Sequence, residues 1–282
     1  MLDIRNKVGV IGLGTMGSVI AKRLAEENGE YKVFAFDKDK KKGDVSIFPF
    51  LAKDIPSLAR AVDTVILAVK PQDIGHLLRD LKGRVNDKLI ISIAAGISTK
   101  YIEKSLGNIR AIRSMPNICA KIGESVTCLC KGSFATESDL DSAREIFYYL
   151  GTARNIDEGL MDAATAISGS GPGYIYYFIE NNSLDPDNIP EHSRHDMMRR
   201  LEKAAEALGF ENEDAAFLAA NTVNASINLL KATGLAPQEL RAQVTSKGGT
   251  TEAGLEVLRK GGSWEEAAKM ALKRAQELAG RS

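Results

Sequence analysis

A chain of 282 residues has room for about two domains and a large buried core. Its 37 basic residues balance 37 acidic ones, so charge gives no footing for a nucleic acid or an anionic membrane surface. With 44% apolar and 26% charged residues and no run near the ~18 apolar residues of a membrane span, an ordinary soluble protein is expected.

The first stretch with chemical character is Lys7-Val-Gly-Val-Ile-Gly-Leu-Gly-Thr-Met-Gly17, followed by Ser18 to Leu24. An apolar run too short for a helix meets glycines, and apolar residues then return at helical spacing (Val19, Ile20, Leu24), which predicts strand, tight turn and helix. Gly12 suits the turn, Gly14 lets a phosphate approach the backbone, and Gly17 lets the helix pack on its strand. The amides and dipole of that helix N-terminus favour the pyrophosphate of a dinucleotide.

A second strand, Tyr31 to Phe36, ends in Asp37, twenty residues beyond Gly17. A carboxylate there accepts hydrogen bonds from the adenosine ribose and repels a 2′-phosphate, so Asp37 favours NADH over NADPH. Lys38, Lys40, Lys41 and Lys42 pull the other way if their ammonium groups reach that phosphate.

Strand-like runs at Thr64 to Val69, Leu89 to Ala94, Ile109 to Ser114 and Val126 to Cys130 alternate with helices near Ile74 to Leu81 and Thr99 to Leu106. A helix over Ala135 to Leu150 and a strand over Ala153 to Ile156 close the series. Such alternation predicts an α/β, doubly wound parallel sheet of Rossmann type over residues 1–157, with ligand loops at the strands' carboxyl ends. Two such ends have the right character: Ala68-Val69-Lys70-Pro71, and Ala94-Ala95-Gly96, which is small enough for backbone to approach a flat ring.

Beyond Glu158 strand-like runs cease, and residues 158–282 read as an all-α domain. Its expected helices are Leu160 to Ala166, Gly173 to Ile179, Arg194 to Leu208, Asp214 to Ala232, Pro237 to Val244, Thr251 to Arg259 and Trp264 to Leu278. The fourth is apolar on most faces yet carries Asn221, Asn224 and Asn228, which predicts burial against a second subunit and asparagines that bridge helices. Cys119, Cys128 and Cys130 are too few for a disulfide framework, and the three histidines give no i, i+4 pair, so no metal site is expected. Lacking a long apolar leader with a cleavage site, the chain is expected in the cytoplasm.

A second glycine cluster, Ser246-Lys-Gly-Gly-Thr-Thr251, lies between two helices. Gly248 and Gly249 can bend the backbone into a nest of N–H groups, and Ser246, Thr250 and Thr251 supply hydroxyls at the head of the next helix. The residues alone leave two readings open: a site for a small anion such as a carboxylate, or an ordinary N-cap with a Gly-Gly turn.

In order, Gly12-Leu-Gly-Thr-Met-Gly17, Ala68-Val-Lys-Pro71, Ser92-Ile-Ala-Ala-Gly96, Arg113-Ser-Met-Pro-Asn117, Ser168-Gly-Ser-Gly-Pro172 and Val244 to Thr251 closely resemble the pyrroline-5-carboxylate reductase family. The resemblance runs over nearly the whole chain. It implies NAD(P)H-dependent reduction of a cyclic imine, 1-pyrroline-5-carboxylate, to L-proline, the last step of proline biosynthesis. It also implies a C-terminal dimerisation domain, a homodimer and, in parts of the family, larger rings of dimers.

By the same resemblance Ile11, Gly12, Leu13, Gly14, Thr15, Met16 and Gly17 cradle the pyrophosphate, Ala68, Val69, Lys70 and Pro71 touch the nucleotide, and Ala94, Ala95 and Gly96 lie against the nicotinamide. Ser246, Gly248, Gly249, Thr250 and Thr251 hold the substrate, with Thr251 the catalytic hydroxyl nearest the imine. No histidine or carboxylate stands out as a general acid, so the imine is expected to arrive protonated or to take its proton from water.

The chain departs from the family pattern at Asp37, at Ile118 and Cys119, at Lys247 in place of a proline, and over Asn181 to Met198, an apparent insertion expected to form a solvated loop. Another NAD(P)-dependent imine reductase and a β-hydroxyacid dehydrogenase are the enzyme alternatives, and a dinucleotide-binding sensor is the non-catalytic one. Against the hydroxyacid enzyme, Tyr177 stands where the Gly-x-Gly-x-x-x-Lys pattern requires lysine. A sensor has no evident need for the loop from Ser246 to Thr251.

Overall fold

The computed structural model describes residues 6–26, 30–39, 41 and 50–280. These form two compact units, one of residues up to Ser114 together with Leu129–Glu158, the other of Met115–Cys128 together with Gly159–Gly280.

Seven strands form one sheet: β1 (Asn6–Ile11), β2 (Tyr31–Phe36), β3 (Thr64–Leu67), β4 (Leu89–Ser92), β5 (Arg110–Met115), β6 (Ser125–Lys131) and β7 (Gly151–Asn155), in the spatial order β2-β1-β3-β4-β5-β6-β7. The pairs from β2 through β5 are parallel, with Val10 beside Ile66, Ile66 beside Ile91 and Ile91 beside Ile112. That row of β-branched side chains is almost wholly buried, each contributing roughly 1.5–3 kcal/mol of transfer free energy. Because β1 has β2 on one side and β3 on the other, the chain reverses direction across the sheet at β1, and the crevice past the carboxyl ends of β1 and β3 is where open α/β sheets bind ligands.

The helices of this unit are α1 (Thr15–Glu26), α2 (Ile55–Ala61), α3 (Pro71–Leu81), α4 (Thr99–Leu106) and α5 (Glu137–Tyr148). Between Phe36 and Thr64, where no element is expected from the sequence, stands α2. Asp54 caps it by accepting from Ser57 N–H at 2.7 Å, and Pro56 sits in its first turn, where a missing N–H is harmless. Lys40 and Lys42 lie outside the described residues.

The second unit holds α6 (Met161–Ala164), a π-helical turn (Thr165–Gly169), α7 (Gly171–Asn181), α8 (Glu191–Glu206), α9 (Asn212–Thr233), α10 (Pro237–Val244), α11 (Thr250–Arg259) and α12 (Trp264–Ala279). The expected solvated loop over Asn181 to Met198 is shorter than the sequence suggests. Glu191 to Met198 are the first two turns of α8, with Ser193 and Met197 buried. The asparagines of α9 do local work: Asn221 donates to Phe217 O, Asn224 accepts from Arg194 of α8, and Asn228 donates to Glu124.

The three cysteines are free and buried, and burial pushes the Cys119 and Cys130 thiols up to about 12. Among the described residues no cluster of three or more His, Cys, Asp or Glu could hold a metal ion, and no helix is long and apolar enough to cross a membrane.

Candidate functional site

In the first unit the turn after β1 separates three glycines by what each one needs. Gly12 sits at φ +100°, and a Cβ on it would lie 2.7 Å from the Ala68 carbonyl oxygen. A Cβ on Gly17 would run into the Gly12 carbonyl and lie 2.9 Å from the Ala68 methyl. Packing therefore demands glycine at both positions. At Gly14 a Cβ would meet no atom within 4 Å, so nothing in the fold accounts for a bare backbone there. Close approach of a ligand does account for it.

α1 begins at Thr15, and its first return bond runs from Ser18 N–H to Gly14 O at 3.0 Å. The amides of Thr15, Met16 and Gly17 thus belong to the first turn, where an α-helix has no carbonyl of its own to offer them. The Leu13 amide is already taken, since it donates to Asp37 Oδ2 at 2.7 Å.

Beside this turn lies a cavity of about 520 Å³, lined by Ile11, Gly12, Gly14, Asp37 and Ala68–Lys70 among others. It takes its walls from the ends of β1, β2 and β3 and from α3. Its charge is mixed: Lys38 is exposed and paired with Asp73 Oδ1 at 3.0 Å, and Asp80 also lines it. Pro71 opens α3, with Lys70 at the N-cap. Ala94–Gly96 stands apart from that lining, past the end of β4, where Ala94 N–H donates to the buried Ser92 hydroxyl at 3.3 Å and Gly96 takes φ +76°. The bare Gly14 and the open helix N-terminus fit a dinucleotide pyrophosphate.

In the second unit the loop from Ser246 leads into α11. Gly248 is at φ +69°, and its N–H donates to Glu252 Oε2 at 2.6 Å. Gly249 N–H donates to Ser246 O at 2.9 Å. Both glycine amides are therefore committed inside the loop, in contrast to the expected nest. Gly249 is the N-cap of α11 and has no side chain to cap it, so the amides left at the helix head are those of Thr250, Thr251 and Glu252, before Ala253 N–H returns to Gly249 O at 3.2 Å. Arg274 of α12 pins the loop by donating from Nε to Gly248 O at 2.6 Å, and it pairs with Glu277.

Thr251 is buried, and its hydroxyl donates to Ser170 Oγ at 3.2 Å; Ser170 Oγ lies 3.0 Å from Thr250 Oγ1. Ser170 owes its place to the π-helical turn, since its N–H reaches back to Thr165 O at 2.9 Å, one residue further than an α-helix would. Small residues allow that turn: a Cβ on Gly171 would sit 3.1 Å from Thr222 Cγ2. Tyr174 is fully buried against Gly254, and a Cβ there would lie 2.7 Å from its ring. Burial raises the Tyr174 pKa, partly offset by the Ser170 hydroxyl, so the phenol is neutral.

Ser170, Tyr174 and Arg274 have no role in the sequence analysis. Ser170 lies inside the motif Ser168-Gly-Ser-Gly-Pro172, but spacing along the chain does not say what its hydroxyl touches.

Residues 195–279 match the family described as pyrroline-5-carboxylate reductase dimerisation, and residues 7–96 that described as NADP oxidoreductase, coenzyme F420-dependent. A pyrroline-5-carboxylate reductase of Methanosarcina acetivorans is 35% identical over 287 aligned residues, covering 96% of this chain and 97% of that protein. The chain belongs to the pyrroline-5-carboxylate reductase family. A family member from Aquifex aeolicus is 33% identical, covering 91% of this chain and 90% of that protein. Among solved structures, Plasmodium falciparum pyrroline carboxylate reductase with NADP bound superposes with a TM-score of 0.65 at 28% identity, covering 98% of both chains.

Proposed function

We infer that this protein is a pyrroline-5-carboxylate reductase, which reduces 1-pyrroline-5-carboxylate to L-proline with NAD(P)H. The observation that carries the reading is Thr251, a buried hydroxyl in the uncapped first turn of α11, in a chain that belongs to this family. There a neutral oxygen meets the imine nitrogen without repelling an iminium, while the amides of Thr250 and Thr251 and the hydroxyls of Ser246 and Thr250 take the carboxylate. Gly248 and Gly249 shape that loop. When bound, the reduced nicotinamide supplies hydride to the imine carbon.

In this reading residues 1–157 bind the dinucleotide and residues 158–282 bind substrate and dimerise. Ile11 to Gly17 hold the pyrophosphate, Ala68 to Pro71 the nucleotide, and Ala94 to Gly96 the nicotinamide face. Asp37 sets a preference for NADH, supported by the pairing of Lys38 with Asp73, which weakens Lys38 as a partner for a 2′-phosphate.

The protein acts as a homodimer, which the matched dimerisation region supports. A groove beside α8 and α9 sets Met198, Ala216, Ala219 and Ala220 next to His192, His195, Asp196, Arg199 and Glu202, a mixed apolar and charged surface that a second copy can cover. Rings of dimers are its larger assembly, and light scattering on the eluting protein distinguishes two chains from a multiple. The free, buried cysteines fit a reducing compartment, and we place the enzyme in the cytoplasm.

Purified protein, NADH or NADPH and the cyclic imine test the activity. Loss of reduced-nicotinamide absorbance with proline formed is expected. No turnover with either cofactor would remove this reading.

A further inference from the structure

The hydroxyl group of Thr251 has one hydrogen, and in the structure that hydrogen goes to Ser170 Oγ at 3.2 Å. With its proton held there, Thr251 Oγ1 presents only lone pairs in other directions. It can accept from a ligand N–H and cannot donate to a ligand lone pair. A cyclic imine offers either face of that choice: the neutral form has a nitrogen lone pair, and the iminium has an N–H. Only the iminium matches Thr251 as Ser170 holds it.

Ser170 is built to keep this polarity. Its side chain is fully buried, its backbone is fixed by the π-helical turn, and its Oγ lies 3.0 Å from Thr250 Oγ1 and beside the Tyr174 phenol, so oxygens other than that of Thr251 are at hand for its own proton. The charged groups around the loop are otherwise engaged: Glu252 with the Gly248 amide, Arg274 with the Gly248 carbonyl and Glu277, and Arg241 of α10 with Glu180 of α7 at 2.7 Å. Lys247 is exposed in the loop itself, and Tyr174 of α7 is a neutral phenol.

We propose that Ser170 is a positioning residue that fixes Thr251 as a hydrogen-bond acceptor and so selects the protonated, iminium form of the substrate. This rests on the reductase reading above. In the step it serves, a hydride adds to the iminium carbon, the C=N π pair moves onto nitrogen and cancels its charge, and the N–H stays where it was. The product is a neutral secondary amine, and no side chain has to give up a proton.

Two measurements on wild type and Ser170→Ala test it. The first is binding, by calorimetry, of L-proline, whose ring nitrogen donates, and of tetrahydrofuran-2-carboxylate, whose ring oxygen only accepts. Removing Ser170 frees the Thr251 hydroxyl to turn and donate, so the affinity ratio shifts about tenfold toward the ether, whereas a merely structural loss weakens both ligands alike. The second is kinetics: kcat falls about 10- to 100-fold with KM changed far less, because the carboxylate contacts remain.

If Ser170→Ala does not fold, Thr250→Val, which removes the far end of the hydroxyl chain from a half-exposed position, should shift the ratio the same way by about threefold. Wild-type protein that never turns over the imine overturns the reductase reading and this proposal with it. An active wild type whose folded variant keeps the wild-type ratio, whatever its kcat, overturns the proposal alone.

Discussion

Asp37 Oδ2 accepts the backbone N–H of Leu13 at 2.7 Å, so the carboxylate that ends β2 clamps the glycine turn that ends β1. Its other oxygen accepts from Asp39 N–H at 2.8 Å. One side chain therefore fixes the turn and places a carboxylate in the wall of the cavity beside it.

Two substitutions separate these roles. Asp37→Asn keeps an acceptor oxygen for Leu13 and removes the charge, while Asp37→Ser loses the reach as well. Both should raise the NADPH-to-NADH ratio of kcat/KM, by about tenfold if one charge repulsion of roughly 1.4 kcal/mol is relieved. Only Asp37→Ser should also weaken binding of both cofactors, read by fluorescence titration. A ratio unchanged in both variants would mean that Asp37 does not choose the cofactor.

Gly249 and Ser246 pack closely in the loop that leads into α11. A Cβ on Gly249 would press on the Ser246 hydroxyl and lie 2.9 Å from its carbonyl oxygen. Gly249→Ala should therefore open the loop, raise KM for the imine at least tenfold, and lower stability by about 1–3 kcal/mol. Steady-state kinetics and urea unfolding check the two parts.

Thr251→Ala should lower kcat/KM by ~10- to 1000-fold through loss of one transition-state contact, and Thr251→Ser should recover most of it. A folded Thr251→Ala protein with wild-type kinetics would move the site elsewhere.

Asp139 gives a pH prediction. Burial acts to raise its pKa, but the Thr136 N–H and hydroxyl and the Arg110 guanidinium outweigh this and hold it below the usual carboxylate range. A depressed folded-state pKa stabilises the protein above the unfolded value near pH ~4, and that contribution is lost as pH falls through the folded value. Asp139→Asn should lower stability by about 1–2 kcal/mol at pH 7, and the gap from wild type should shrink below pH ~4. A gap constant with pH, in denaturant titrations, would show that the charge is not what matters.

Much of this protein was legible because the relevant physics is local. The bounds of β2, α4 and α10 are those the sequence analysis expects, since strand and helix periods are written in consecutive residues. Gly12 and Gly17 behave as the turn chemistry requires. α2 escaped because seven residues carry little periodicity, although Asp54 and Ser57 three positions apart are a capping-box signal. The start of α8 escaped for a related reason: Pro190 and a polar first turn read as loop until burial of Ser193 and Met197 is seen.

The sequence by itself determined the alternation of strands and helices, the glycine turn after β1 and the chemical inventory of the loop from Ser246 to Thr251. Tertiary structure alone decided which way that inventory points. Asp37 turns to the Leu13 amide as well as to the cavity, the Gly248 amide is taken by Glu252, and the Thr251 hydroxyl is committed to Ser170, 81 positions away. A hydrogen bond depends on distance and direction between groups that packing brings together, and spacing along the chain encodes neither for residues so far apart.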